Sequence, residues 1–182
     1  MNKEFSFNFK SLYKSKFKIA VILNIIAVIC IILLCHNKFK VKEEEKVFIM
    51  MSDNLVLSEQ MNQDLFSISQ KYDMEEFLAL GYDEKDPYFG QVISTKGYYG
   101  TDLFIFNFDV VNQFKDMEIF KVLDGEYISL TEEYKYDSKE NIIGLQINDK
   151  YCVLVNKKSE KSIELLFELV EYIVLNGGEI GE

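Results

Sequence analysis

Apolar positions in this chain form one unbroken block followed by several shorter patterned runs. From Ile19 to Cys35 the only polar side chain is Asn24. A helix built from that block is apolar on every face, and Lys18 and Lys38 bracket it. The pattern predicts a membrane-spanning helix. At about 1.5 Å per residue it reaches roughly 25 Å, and the two lysines extend that length by snorkelling outward. Leu33, Leu34, Cys35 and His36 offer no small-x-small cleavage site, and neither Cys30 nor Cys35 follows a small residue as a lipobox requires. The segment therefore reads as an uncleaved anchor.

After a charged connector (36–46) the periodicity changes. Val47 to Met51 either extends the anchor or starts a strand. Met61, Leu65, Phe66 and Ile68 recur at helical spacing behind Ser58, which predicts a helix over 58–71. A short helix follows at 73–80, between Asp73 as cap and Gly81 as stop, and then a loop at 82–90. Gln91 to Thr95 reads as a strand. Leu103 to Phe108 reads as a central strand covered on both faces. A helix is predicted from Asp109 to Asp124, a strand at 127–131 and a solvated loop at 132–140. Ile142–Ile147 and Tyr151–Val155 predict a hairpin closed by Asn148-Asp149. A last helix runs from about Ser159 to Asn176, its acids Glu164, Glu168 and Glu171 in one narrow stripe. This order predicts an α+β fold: a mostly antiparallel sheet with helices packed on one face, preceded by a single N-terminal transmembrane helix.

Charge divides the chain at the same place. Residues 1–42 carry eight lysines against Glu4, whereas residues 43–182 carry twelve lysines against 29 acids, a net of −17. All 20 basic residues are lysine. An acidic domain without arginine repels phosphate backbones and lacks their bidentate ligand, so no nucleic acid is expected as partner. The lysine-rich tail 1–18 is expected to stay inside the cell, with the anchor at 19–35 and the acidic domain 47–182 outside. Asn24, in mid-span, either contacts a partner helix or is tolerated alone.

The inventory of chemistry is short. His36, at the membrane edge, is the only histidine, so the domain has no histidine base or zinc ligand. Cys152 is its only cysteine, which rules out an internal disulfide; it reads as a small core residue rather than a nucleophile. No phosphate loop or dinucleotide fingerprint is present. The acid pairs Glu75-Glu76 and Glu132-Glu133, and the run Asp83, Glu84, Asp86, read as solvated surface. Tyr82, Tyr88, Tyr98 and Tyr99 sit in predicted loops among glycines, either as core-edge packing or as a binding surface, with Tyr88, Tyr98 and Tyr99 the candidates for the latter.

TDLFIFNFD leading into a helix (101–123), and DKYCVLVNKKSEKSIELL (149–166), in which a strand carrying a tyrosine runs into a helix, resemble an uncharacterised family of anchored extracytoplasmic proteins of Gram-positive anaerobes, many of them lipoproteins. The chain departs from that pattern in lacking a lipobox. The resemblance implies an exported, anchored domain and assigns no activity or site residue. The expectation is thus a single-pass membrane protein whose outer domain binds a protein or envelope component without catalysis, cofactor or metal. The alternatives are an accessory subunit assembled through its membrane helix and a carboxylate-dependent hydrolase.

Overall fold

The computed structural model describes residues 24–29, 41–125, 127, 135–138 and 141–181. Of the predicted anchor, residues 24–29, including Asn24, are helical; the remainder of 19–35, with Lys18 and Lys38, lies outside the described residues. Among the described residues no helix is long and apolar enough to cross a membrane. The chain divides into two units, 1–40 and 41–182, and the second carries the fold described below.

Its sheet holds six strands: β1 (Lys46–Met51), β2 (Glu76–Gly81), β3 (Leu103–Asn107), β4 (Lys135–Ser138), β5 (Asn141–Gln146) and β6 (Tyr151–Val155). Their spatial order is β2-β1-β3-β6-β5-β4. β1 pairs in parallel with both β2 and β3, and the remaining pairs are antiparallel. The sheet is therefore mixed, which corrects the mostly antiparallel expectation. The reason is a βαβ crossover: α1 (Glu59–Gln70) carries the chain from β1 over to a parallel β2.

The expected 73–80 helix is consequently strand β2. Phe77 and Ala79 pack against the core on one side, while Leu78 and Leu80 point to the other. Apolar residues on both sides of so short a segment erase the alternation that marks a strand. The reverse error occurs at 91–95. Phe89–Val92, a π-helical turn Ile93–Gly97, and Tyr98–Gly100 run on as one helical segment, α2. Val92, Ile93 and Thr95 favour strands locally, but full burial of Ile93 beneath the sheet overrides that preference. Residues 135–138, expected as loop, form β4.

Helices pack on both faces of the sheet, not one. Val47, Ile49 and Met51 of β1, Leu103 and Ile105 of β3, and Tyr151, Val153 and Val155 of β6 face α1 and α4 (Ile163–Asn176). The alternate residues Met50, Phe104, Phe106, Cys152 and Leu154 face α2 and α3 (Phe108–Phe114). The unbroken apolar runs of β3 and β6 follow from this two-sided burial. On the second face Phe104 stacks near Phe106 and meets Phe120 edge-on, with ring centroids 5.1 and 5.5 Å apart.

Side-chain caps start α1, α3 and α4. Ser58 Oγ accepts from Met61 N at 3.2 Å, and Ser162 Oγ from Leu165 N at 3.2 Å. α3 begins at Asn107, not Asp109: Asn107 Oδ1 accepts from Val110 N at 2.9 Å. It ends early, and Glu118 turns into the left-handed region at φ 54°. α4 buries Leu165, Leu166, Leu169, Val170 and Ile173, each worth roughly 1.5–3 kcal/mol when fully removed from water. Its acid stripe meets α1, where Glu168 accepts from Lys71 Nζ at 2.9 Å and from Tyr72 OH at 3.0 Å. Tyr172 OH donates to Asp64 at 2.6 Å, which pushes the phenol up to about 12.

Candidate functional site

Two features stand out around this sheet. The first is a trough beside β2. Phe48 of β1 and Leu78 of β2 are register partners and point to the α2 face, as does Leu80. α2 covers β1 only at Met50 and beyond, so Phe48, Leu78, Leu80 and Tyr82 form the apolar floor of a hollow of about 780 Å³, bordered by Thr95, Lys96 and Tyr99 and by charged residues of 43–46 and 158–161. Leu80 is 46% exposed and Tyr99 81%.

The far end of the trough is rigid and polar. Asp102 is buried there; its Oδ2 accepts from Phe48 N at 3.0 Å and its Oδ1 from Ser159 Oγ at 2.6 Å. Burial pushes its carboxyl up, against the pull of those two donors and Lys161. Asn156 ties the end of α2 down, donating to Gly97 O at 2.8 Å and Thr101 O at 2.6 Å. A Cβ added at Gly97 would lie 3.5 Å from both Met50 Sδ and the Phe104 ring, so the glycine sits close against the sheet. The wall that presents Lys96 and Tyr99 is thus bolted to both the sheet and the 156–161 loop. A π-helical turn in such a wall is a recurrent companion of binding sites.

Of the tyrosines singled out from sequence, Tyr99 lines this trough. Tyr98 sits beside it, the rings edge-to-face at 4.7 Å, with Lys158 Nζ 5.7 Å over the Tyr98 ring. Tyr88 is exposed at the start of α2 and is not part of the trough. The floor residues Leu78 and Leu80 escaped sequence reasoning because their segment read as helix.

The second feature lies at the carboxyl ends of β1 and β3. The chain leaves β1 toward one face and β3 toward the other, which opens a crevice where open α/β sheets commonly hold ligands. Here the crevice is filled by the protein's own groups. Ser52 Oγ accepts from Asn107 N at 2.9 Å. Asp53 and Asn54 adopt φ of 59° and 53°. Asp53 Oδ2 receives Tyr151 OH and Lys150 Nζ, each at 2.7 Å. Glu84 accepts from Asn107 Nδ2 at 2.8 Å and is hydrogen-bonded to Asp53.

Burial opposes the charge on Asp53, yet the hydrogen bonds from Glu84, Lys150, Tyr151 and Asn107 hold its carboxyl well below the usual range. Glu84 is pushed up by its hydrogen bond to Asp53, by burial and by the Asp53 charge. The two carboxyl groups thus pull in opposite directions, Asp53 favouring the anion and Glu84 the neutral acid. A pair split in this way is what acid/base chemistry needs, but Asp53 Oδ2 and Glu84 Oε2 already serve neighbours. Sequence reading placed Glu84 in a solvated run; its neighbours Asp83 and Asp86 do cap local turns, accepting from Lys85 N at 2.9 Å and Tyr88 N at 2.8 Å.

Cys152 is fully buried, its Sγ 3.6 Å from Phe106 O, and burial pushes the thiol up. It packs as the sequence suggested. Glu76 pairs with Lys46 at 3.2 Å, and Glu132-Glu133 lies outside the described residues. Among the described residues no group of three or more His, Cys, Asp or Glu is placed to hold a metal ion. In comparisons with known proteins, no family model matches the chain and no curated protein matches it.

Proposed function

We propose that this chain is a non-enzymatic binding protein anchored in the cell membrane by residues 19–35, with its acidic domain displayed outside and the trough beside β2 receiving another protein. The observation that carries the reading is the pair of exposed leucines, Leu78 and Leu80, lying next to Tyr99 in a concave, rigidly walled surface. Exposed apolar side chains in a hollow with an aromatic rim are the usual makings of a protein interface. The continuous apolar block between Lys18 and Lys38 supports the anchor.

The test is photo-crosslinking in intact cells, with the reactive residue placed at Leu80, at Tyr99 or at Asn24 in the full-length chain. Adducts from Leu80 and Tyr99 support the trough. Adducts from Asn24 alone favour the accessory-subunit reading, in which assembly runs through the membrane helix. External protease that spares the domain in sealed cells, but digests it after lysis, overturns the outward orientation.

The Asp53–Glu84 pair is the one observation that favours a carboxylate-dependent hydrolase. Lys150 and Tyr151 on Asp53, and Asn107 on Glu84, engage the pair within the fold. We therefore assign it to holding the loop after β2 against the ends of β1 and β3.

A further inference from the structure

β2 is the last strand on its side of the sheet: among the described residues it pairs only with β1. Half of its backbone donors and acceptors therefore point outward. Edges of this kind are normally blunted by lysine, proline, a bulge or extreme shortness. β2 is six residues long, Glu-Phe-Leu-Ala-Leu-Gly, with no bulge in its register to β1.

Hollows flank this edge on both faces. On one side lies the trough with Leu78 and Leu80. On the other is a smaller, shallow and open hollow lined by Leu57, Phe66 and Phe77 together with polar residues of α1. A helix laid on the trough would use one face only. An added strand sends successive side chains to opposite faces, so it alone reaches both hollows while pairing with the open backbone.

Charge narrows the occupant. Glu75 precedes the apolar stretch, Asp83 follows it and Glu59 lines the smaller hollow, all three exposed, whereas Glu76 and Glu84 are engaged by Lys46 and Asn107. The nearby lysines are largely engaged: Lys46 on Glu43 and Glu76, Lys161 on the carbonyls of Glu43 and Glu44, Lys158 over Tyr98. Lys96 at the rim and Lys85 beyond the strand are the exceptions among the described residues. A second copy of the domain brings another −17 charges to an edge already bounded by acids, and is repelled.

Building on the binding role proposed above, we infer that β2 captures an extended segment of a partner protein as a seventh strand, a segment with a continuous apolar centre and lysine or arginine at its ends. Main-chain hydrogen bonds supply the docking and the two hollows read alternate side chains.

The probe is a synthetic peptide, Lys-Lys-Val-Ile-Val-Thr-Val-Lys-Lys, titrated onto the full-length chain in lipid nanodiscs. Three controls accompany it: the same peptide with Glu in place of Lys, the same peptide with alternate backbone nitrogens methylated, and the Leu80→Lys chain. We expect saturable binding and at least about tenfold slower hydrogen exchange at outward-facing amides of 76–81. We also expect about tenfold weaker binding for each control. Equal binding of the methylated peptide overturns strand addition while leaving the trough as an apolar docking surface. Equal binding of the Glu peptide overturns the charge preference. Protection of 76–81 without peptide, rising with protein concentration and abolished by Leu80→Lys, assigns the edge to self-pairing instead. Absence of binding by any of the peptides, with the 76–81 amides unprotected throughout, removes both the strand and the trough.

Discussion

The two edges of the sheet are built on opposite principles. β4, at one end, is four residues long, reads Lys-Tyr-Asp-Ser, and slips register between Tyr136 and Asp137. Shortness, charge and a bulge are the devices by which sheets refuse further strands. β2, at the other end, has a longer and straight register, an apolar sequence and two exposed leucines. One sheet thus carries a guarded edge and an unguarded one. That asymmetry teaches more than the exposed leucines alone, because scattered surface leucines are ordinary. Among the described residues the contrast is what singles out β2 as the docking edge of the proposed function.

The largest expected effect comes from unseating β2. Gly81 lets the strand end pass against Asn54 and Leu55; a Cβ there would run into the Leu55 carbonyl and come 2.6 Å from Asn54 C. Gly81→Ala should therefore cost about 2–3 kcal/mol, seen as a shift in urea midpoint at constant slope, with binding lost as well. An unchanged midpoint would mean that β2 is not anchored where the register puts it.

Giving β2 the protection that β4 already has separates the edges without unfolding anything. Leu78→Lys or Leu80→Lys replaces an exposed side chain, so stability should move by less than about 0.5 kcal/mol. Partner capture should fall by about tenfold or more. If both variants bind a partner as well as the parent chain, the open edge is not the docking surface.

Smaller still is the influence of the clamp that follows β2. The folded state raises the Glu84 carboxyl above its unfolded value, so its contribution is fully present below about pH 4.3 and fades as pH rises through the raised folded value. Asp53 runs the other way: its stabilising charge is present above about pH 3.9 and is lost as acid protonates it. Glu84→Gln keeps a donor for Asp53 and cannot ionise. It should match the parent near pH 4 and be more stable by up to about 1 kcal/mol near pH 7, measured by denaturation at the two pH values. A gap that narrows with rising pH contradicts a raised Glu84.

Sequence periodicity exposed the strands that have water on neither side. The runs at 103–107 and 151–155, the 142–155 hairpin, α1 and α4 were legible because burial leaves a sustained apolar pattern. β2 and α2 were misread for one shared reason. Each is short, and each takes its conformation from what it packs on, not from its own propensities: Leu78 and Leu80 need the crossover from β1 to become strand, and Ile93 needs the sheet beneath it to become helix. The candidate surface was half visible. Tyr98 and Tyr99 drew attention as tyrosines beside glycines, whereas the apolar floor was hidden inside a mistaken helix. Glu84 looked like any other acid in a polar stretch, since only the ends of β1 and β3 bring Asp53 and Asn107 to it.

The position of β6 has a consequence for how the chain is made. Although it is the last strand in sequence, it lies between β3 and β5 at the middle of the sheet. During synthesis β3 therefore waits with one flank open until residues 151–155 arrive, and the β4–β5 pair has nothing to join to until then. A ribosome that stops short of Tyr151 releases two greasy half-sheets rather than a smaller domain. Closure of the core therefore waits for residues 151–155 and for the α4 helix that follows them.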